Sequence, residues 1–198
     1  MYLFGASGHG KVVADIAIDK GISITAFIDD DTNKIECYGF PVIQKIMDSK
    51  IPLIITIGDN LIRKKIAGKI INNLETLIHS RSIVSPTSKI GKGSVIMGGV
   101  TINADSFIGE HCIINTNASI DHECYIENFV HVSPNAALAG NVQVGEGSHI
   151  GIGATVIQNI KIGKWCIIGA GAVILKDVPD YSVIVGNPGR VIKNINKI

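Results

Sequence analysis

Large rings are scarce in this 198-residue chain: aromatic residues make up 5%, and Trp165 is the single tryptophan. Charge is scarce too. With 18% charged residues and a formal net charge of +1, a polyelectrolyte tail and a strongly basic nucleic-acid-binding surface are excluded. The longest apolar run, Cys166 to Leu175, falls well short of the roughly 20 residues a membrane-spanning helix needs. Met1 to Phe4 follow no basic segment and run straight into glycine, so no secretory signal is expected and a cytoplasmic location is. None of the four cysteines, Cys37, Cys112, Cys124 and Cys166, lies in a C-x-x-C pair.

What the chain has instead is aliphatic residues and 22 glycines, and their positions are periodic. Aliphatic side chains recur every six residues without a gap, from Val84, Ile90, Ile96 and Ile102 through Val132 and Ile150 to Ile168 and Ile174, sixteen hexads in all. Two places before each stands a mostly small residue, such as Ser88, Ser94, Ser106, Cys112, Ala118, Cys124, Ala136, Ser148, Ala154, Cys166 and Ala172. No helix buries a set of period six, whereas short strands joined by tight turns can stack one large and one small inward residue per side. A β-helix is therefore expected. Glycines directly after the aliphatic position, such as Gly91, Gly109, Gly145 and Gly163, read as residues supplying turn conformations that a Cβ strains. Three of the cysteines occupy the small inward position and read as core filler. At about 4.8 Å per coil, three coils between Cys112 and Cys166 make roughly 14 Å, beyond the ~7 Å limit for a disulfide.

The first eighty residues follow a different pattern. Tyr2 to Phe4, Ile24 to Ile28 and Leu53 to Ile57 read as short buried strands alternating with helices near 11–20, 43–49 and 60–72, a βαβαβ unit with Asn60 capping the third helix. The expected division is residues 1–80, an α/β Rossmann-like half-domain, and 81–198, the β-helix with a C-terminal loop and tail. Gly5-Ala6-Ser7-Gly8-His9-Gly10 lies between the first strand and helix, where exposed N–H groups can hold a phosphate. Its G-x-x-G-x-G spacing, and a unit half the size of a dinucleotide-binding sheet, disfavour NAD. Asp29-Asp30 and Gly58-Asp59-Asn60 should meet that turn at the carboxyl edge of the sheet, where ligands bind.

Among six histidines, His122 is distinguished by Asp121 and Glu123 on either side, which can fix its tautomer or raise its basicity. His131 and His149, 18 residues apart, should stack in successive coils. His122 belongs to another side, so a cleft holding His122 and His131 is easier to build between chains than within one. A zinc site between histidines is the competing reading.

The hexads resemble those of hexapeptide-repeat acyltransferases. With Gly5 to Gly10, Phe27 to Asp30, Ile57 to Asn60, Asn115-Thr116 and Asp121 to Glu123, nearly the whole chain resembles the bacterial sugar O- and N-acetyltransferases, including those acting on UDP-linked 4-amino deoxy sugars. The resemblance implies three hexads per coil, a left-handed parallel β-helix and a homotrimer with active sites at subunit interfaces. It implies acetyl-CoA as cosubstrate and no metal. It gives Ser7, Gly8, His9, Asp29, Asp30, Gly58, Asp59 and Asn60 to the nucleotide-sugar, and His122 the role of base with Glu123 orienting it. His131 would contact acetyl-CoA near the thioester, with backbone around Ile152 and Ala170 along the pantetheine. Lys176 and Arg190 could meet the 3′-phosphate of coenzyme A or lie in a solvated tail. Sialic-acid or other sugar O-acetylation remains open, as do a metal-dependent hydratase of carbonic-anhydrase type and a non-catalytic sugar-nucleotide sensor.

Overall fold

The computed structural model describes residues 1–195. The N-terminal unit is built on β1 (Tyr2–Phe4), α1 (Gly8–Asp19), β2 (Ala26–Ile28), β3 (Glu36–Cys37), β4 (Phe40–Ile43), β5 (Leu53–Ile55) and α2 (Asn60–Ala67). Its sheet runs β3-β4-β2-β1-β5, parallel except for the β3–β4 hairpin at the edge. Strands β1, β2 and β5 carry nine residues of high apolarity, nearly all buried, as a parallel sheet covered on both faces requires.

Two expectations fail here. No helix forms over 43–49: Val42 pairs with Phe27 and Ile43 with Ile28, so the first residue of the segment ends β4 and the residues after it run through bends and a turn. Asp59, not Asn60, caps α2, its Oδ1 accepting from the N–H of Ile62 at 2.8 Å. The unit is thus βαβ, a β-hairpin, then βα.

From Leu77 onward the chain winds into a parallel β-helix of two-residue strands, each pairing with the strand 18 residues on. One face runs from Ile83–Val84 to Val173–Ile174 and a second from Lys89–Ile90 to Lys161–Ile162. The third starts at Leu77–Ile78 and includes Ile113–Ile114, His131–Val132, His149–Ile150 and Ile167–Ile168. The aliphatic column is buried from Ile96 to Ile174.

The small inward column does more than fill. Ser94 Oγ donates to the Gly109 carbonyl at 2.8 Å and accepts from the N–H of Cys112 at 2.8 Å; Cys112 Sγ then donates to Glu127 O at 3.1 Å. Ser106–Cys124 and Ser148–Cys166 repeat this arrangement. Serine and cysteine suit the site because each is small and carries a donor that satisfies a turn carbonyl. Burial pushes the Cys112 thiol up to about 12, which keeps it protonated, and all four cysteines are free.

The glycines also act differently from the expectation. From Gly93 onward, left-handed backbone occurs once per hexad, one place before the small residue: Gly93, Gly99, Asp105, His111, Asn117, Glu123, Phe129, Asn135, Asn141, Gly147, Gly153, Asn159, Trp165 and Gly171. Most of these carry side chains. The glycines after the aliphatic position are needed for space: a Cβ on Gly145 would stand 2.6 Å from the Gly163 carbonyl carbon one coil on, and one on Gly91 would stand 2.5 Å from that of Gly109.

The segment after Ile174 is more than a loop. Ser182–Val185 adds to the third face, and Arg190–Asn194 pairs antiparallel along its outer edge.

Candidate active site

At the carboxyl edge of the N-terminal sheet, the glycine turn separates into two roles. Gly5 has φ of +123°, and a Cβ there would meet Thr56 O at 2.9 Å; on Gly10 it would run into Gly5 O and the Phe27 ring. Both are demanded by the fold. Around Gly8 and Gly58, by contrast, a Cβ would find nothing within 4 Å. Ser7, the N-cap of α1, makes no side-chain capping bond, and no acidic residue lies in the first turn. The positive end of α1 therefore faces open space, an arrangement that accepts an anion.

Asp29 closes the turn from the side, accepting from Ala6 N–H at 2.8 Å, Asp31 N–H at 3.1 Å and Lys34 Nζ at 2.9 Å. Burial raises its carboxyl, but Lys34 and the two N–H groups outweigh this and hold it below the usual carboxylate range. Asp30 is exposed and makes no side-chain hydrogen bond among the described residues.

Gly58, Asp59 and Asn60 meet the β-helix in a cleft of about 550 Å³, facing His131, His149, Trp165 and Ile167. The imidazoles of His131 and His149 stack at 4.7 Å with 3° between planes. Asn115 Nδ2 donates to His131 Nε2 at 3.1 Å, and His149 Nε2 lies 2.7 Å from Ser133 Oγ. Burial, with the charges of His149, Arg63 and His9 adding to it, pushes His131 down to about 3; burial and Arg63 push His9 to about 4, and His149 is lowered for the same reasons. These rings are neutral near pH 7. His131 Nδ1 and His9 Nε2 are buried without a hydrogen-bond partner among the described residues.

Asn60 is not free for a ligand to the extent expected. Its Nδ2 donates to Gly147 O at 2.9 Å and Ser148 O at 3.2 Å, while its Oδ1 accepts from Arg63.

His122 stands elsewhere, on the turn between the strands Ser119–Ile120 and Tyr125–Ile126. Its Nδ1 is 3.0 Å from Glu123 Oε2, which leaves Nε2 open to solvent. Glu123 reaches the ring because its backbone is left-handed, φ +59°. Asp121 turns away, its Oδ1 accepting from Asn103 Nδ2 and from the His122 N–H, each at 2.8 Å, which holds its carboxyl low. The ring rests on Gly140, where a Cβ would come within 2.6 Å of Nε2. Ile152 and Ala170 lie on turns leaving the third face, 18 residues apart, and among the described residues their N–H groups donate to nothing. Lys176 and Arg190 line one groove with Pro188 and Val191.

The structure thus brings Gly58 to Asn60 together with His131, and keeps His122 and Glu123 out of that cleft within one chain. It also adds residues that sequence reasoning missed. Trp165 stands at a left-handed corner over Gly147, and Arg63 is buried under the junction. A tryptophan at a column otherwise holding glycine, histidine and phenylalanine was a readable signal; Arg63, in a run with Lys64 and Lys65, was not.

A two-residue-strand β-helix joined to an α/β half-sheet with an open helix N-terminus defines the hexapeptide-repeat transferase class. Residues 1–70 match the PglD N-terminal domain and residues 141–176 the bacterial transferase hexapeptide (six repeats). A histidine-to-asparagine variant of perosamine N-acetyltransferase from Caulobacter crescentus, in complex with CoA and GDP-perosamine, is 35% identical and superposes with a TM-score of 0.93 over 98% of this chain and 96% of its own. The acetyltransferase domain of PglB from Neisseria gonorrhoeae in complex with acetyl coenzyme A is 39% identical, with a TM-score of 0.91 over 96% of this chain and 98% of that one. UDP-N-acetylbacillosamine N-acetyltransferase of Bacillus subtilis is 40% identical over 107 residues, 48% of this chain and 50% of that protein. The chain spans half or less of the curated relatives it matches. It belongs to the bacterial sugar acetyltransferase family with hexapeptide repeats.

No group of three or more His, Cys, Asp or Glu that could hold a metal ion occurs among the described residues, and no helix there is long and apolar enough to cross a membrane.

Proposed function

We propose that this protein transfers the acetyl group of acetyl-CoA to the 4-amino group of a nucleotide-linked deoxy-aminosugar. The observation that carries the reading is the His122–Glu123 pair: one ring nitrogen is held by a carboxylate and the other is free, as a general base needs. The amine nitrogen attacks the thioester carbon while His122 Nε2 takes its proton. The carbon–sulfur bond then breaks and coenzyme A leaves as the thiol. The open N–H groups at α1 and the unfilled space at Gly8 and Gly58 suit the diphosphate, with Ser7 and His9 beside it, Asp29 and Asp30 toward the base or ribose, and Asp59 completing the pocket. The unused N–H groups of Ile152 and Ala170 suit the pantetheine amides, and His131 the region of the thioester.

His122 and His131 lie on different sides of the β-helix, so a complete site needs His122 of one subunit against the cleft of the next. A homotrimer supplies this by rotation. A cytoplasmic location belongs to the same reading and agrees with four free cysteines.

Coenzyme A release should be followed across UDP-, dTDP- and GDP-linked 4-amino sugars. One nucleotide should dominate; release with none of them overturns the reading. The relatives differ on this point, with GDP-perosamine bound to the Caulobacter enzyme and a UDP sugar in the name of the Bacillus one.

A further inference from the structure

Arg63 is the largest fully buried side chain, 1% exposed, and it has no carboxylate within ion-pair distance among the described residues. All five of its hydrogen bonds go to neutral acceptors. Nε donates to His111 O at 2.8 Å, Nη1 to Ile57 O at 2.9 Å and Gly58 O at 3.1 Å, and Nη2 to Asn60 Oδ1 at 2.7 Å and Phe129 O at 2.9 Å. Two acceptors belong to successive coils of the β-helix, two to the loop entering α2 and one to Asn60, the first residue of α2. Burial draws its pKa down to about 10, still far above neutrality, so the charge is kept.

A buried cation without a counter-charge is a poor way to gain stability, because an apolar side chain of similar volume would fill the junction with no desolvation penalty. What a guanidinium supplies that an apolar side chain cannot is a rigid planar fork that fixes several acceptors at once. The acceptors it fixes are the backbone of Gly58 and the amide of Asn60, whose own Nδ2 is pinned to Gly147 and Ser148. That loop forms the wall of the cleft opposite His131 and His149.

We propose that Arg63 is a positioning residue for acetyl transfer: it sets the loop from Gly58 to Asn60, and with it the nucleotide-sugar, at a fixed height over the acetyl-CoA half of the site on the β-helix. This rests on the transferase reading above. Arg63 itself touches no substrate, since every donor is used.

The test is steady-state kinetics of the full-length protein and of Arg63→Lys, Arg63→Ala and Asn60→Ala, beside nucleotide and acetyl-CoA affinities read from Trp165 emission. Trp165 lines the cleft and is the only tryptophan. Arg63→Lys should remain folded, keep its acetyl-CoA affinity and KM, and lose about 100-fold in kcat/KM for the nucleotide-sugar, the scale of a displacement near 1 Å. Added guanidinium ion should restore part of the activity of Arg63→Ala and none of Arg63→Lys. Asn60→Ala should lose in the same parameter and not add to Arg63→Lys.

Unchanged kcat/KM for the nucleotide-sugar in folded Arg63→Lys overturns the proposal. So does an equal loss for both substrates that tracks the folded fraction and is not rescued, because that marks a purely structural pillar. If the Arg63 variants do not fold, Asn60→Ala decides alone, and wild-type kinetics there count against it. A wild-type protein that acetylates no acceptor removes the transferase reading instead. Positioning is then judged by whether Arg63→Lys weakens UDP or GDP binding while sparing acetyl-CoA.

Discussion

Two sets of glycines do opposite work in this molecule. In the β-helix, Gly91, Gly145 and Gly163 leave space that the next coil fills, so each is a contact. In the N-terminal unit, Gly8 and Gly58 leave space that nothing in the chain fills. Where a repeat stacks backbone directly on backbone, the facing coil occupies the room beside these glycines, whereas the carboxyl edge of an open parallel sheet ends in unlike loops that can leave a hollow. In the function proposed above, this difference is a division of labour, with recognition of the nucleotide-sugar in the half-sheet and the proton transfer on a β-helix turn.

His122→Ala tests that division most severely. We expect a fall of roughly 10²–10⁴-fold in kcat, with the melting temperature and the nucleotide-sugar affinity unchanged; a comparable loss of affinity would merge the two roles. Gly145→Ala should destabilise by about 1–3 kcal/mol in thermal or urea unfolding, since backbone of the facing coil stands where the methyl group must go. Acid should weaken both halves next. His9 and His131 have folded values of about 4 and about 3, depressed from 6.5, so their contribution is fully present above pH 6.5. It is lost as pH falls from there toward those values, at up to about 1.4 kcal/mol per pH unit per histidine. Unfolding midpoints measured from pH 7 to 4 should fall accordingly, and His9→Asn should flatten the slope. Smallest is Gly8→Ala, expected to shift stability by less than about 0.5 kcal/mol while raising KM for the nucleotide-sugar. A large loss of stability there would mean Gly8 is a packing glycine after all.

The repeat was legible because sixteen hexads state one rule sixteen times, and the strand pairing 18 residues apart follows it throughout. The reason for its glycines was not. Left-handed corners are held by Asn117, Asn135, Phe129 and even Trp165, so glycine composition misreports where they lie; the crowding that requires Gly145 exists only once Gly163 is stacked on it. The false helix at 43–49 failed similarly, through pairing of Val42 and Ile43 with residues some fifteen positions earlier. Of the site, the Asp121-His122-Glu123 cluster was visible, but which carboxylate serves the ring turned on the left-handed backbone of Glu123. Arg63 was hidden because burial of one basic residue among three depends on where α2 lands.

The once-per-hexad corner makes length itself a coded quantity. Inserting or deleting 18 residues between coils would return every downstream side chain to its own face, so natural or designed homologues can grow by whole coils without redrawing the surface. A change of six residues would preserve the interior equally well and rotate the entire exterior by one face. His149 would then leave the wall shared with His131, and a perfectly stable solid would present its chemistry in the wrong direction.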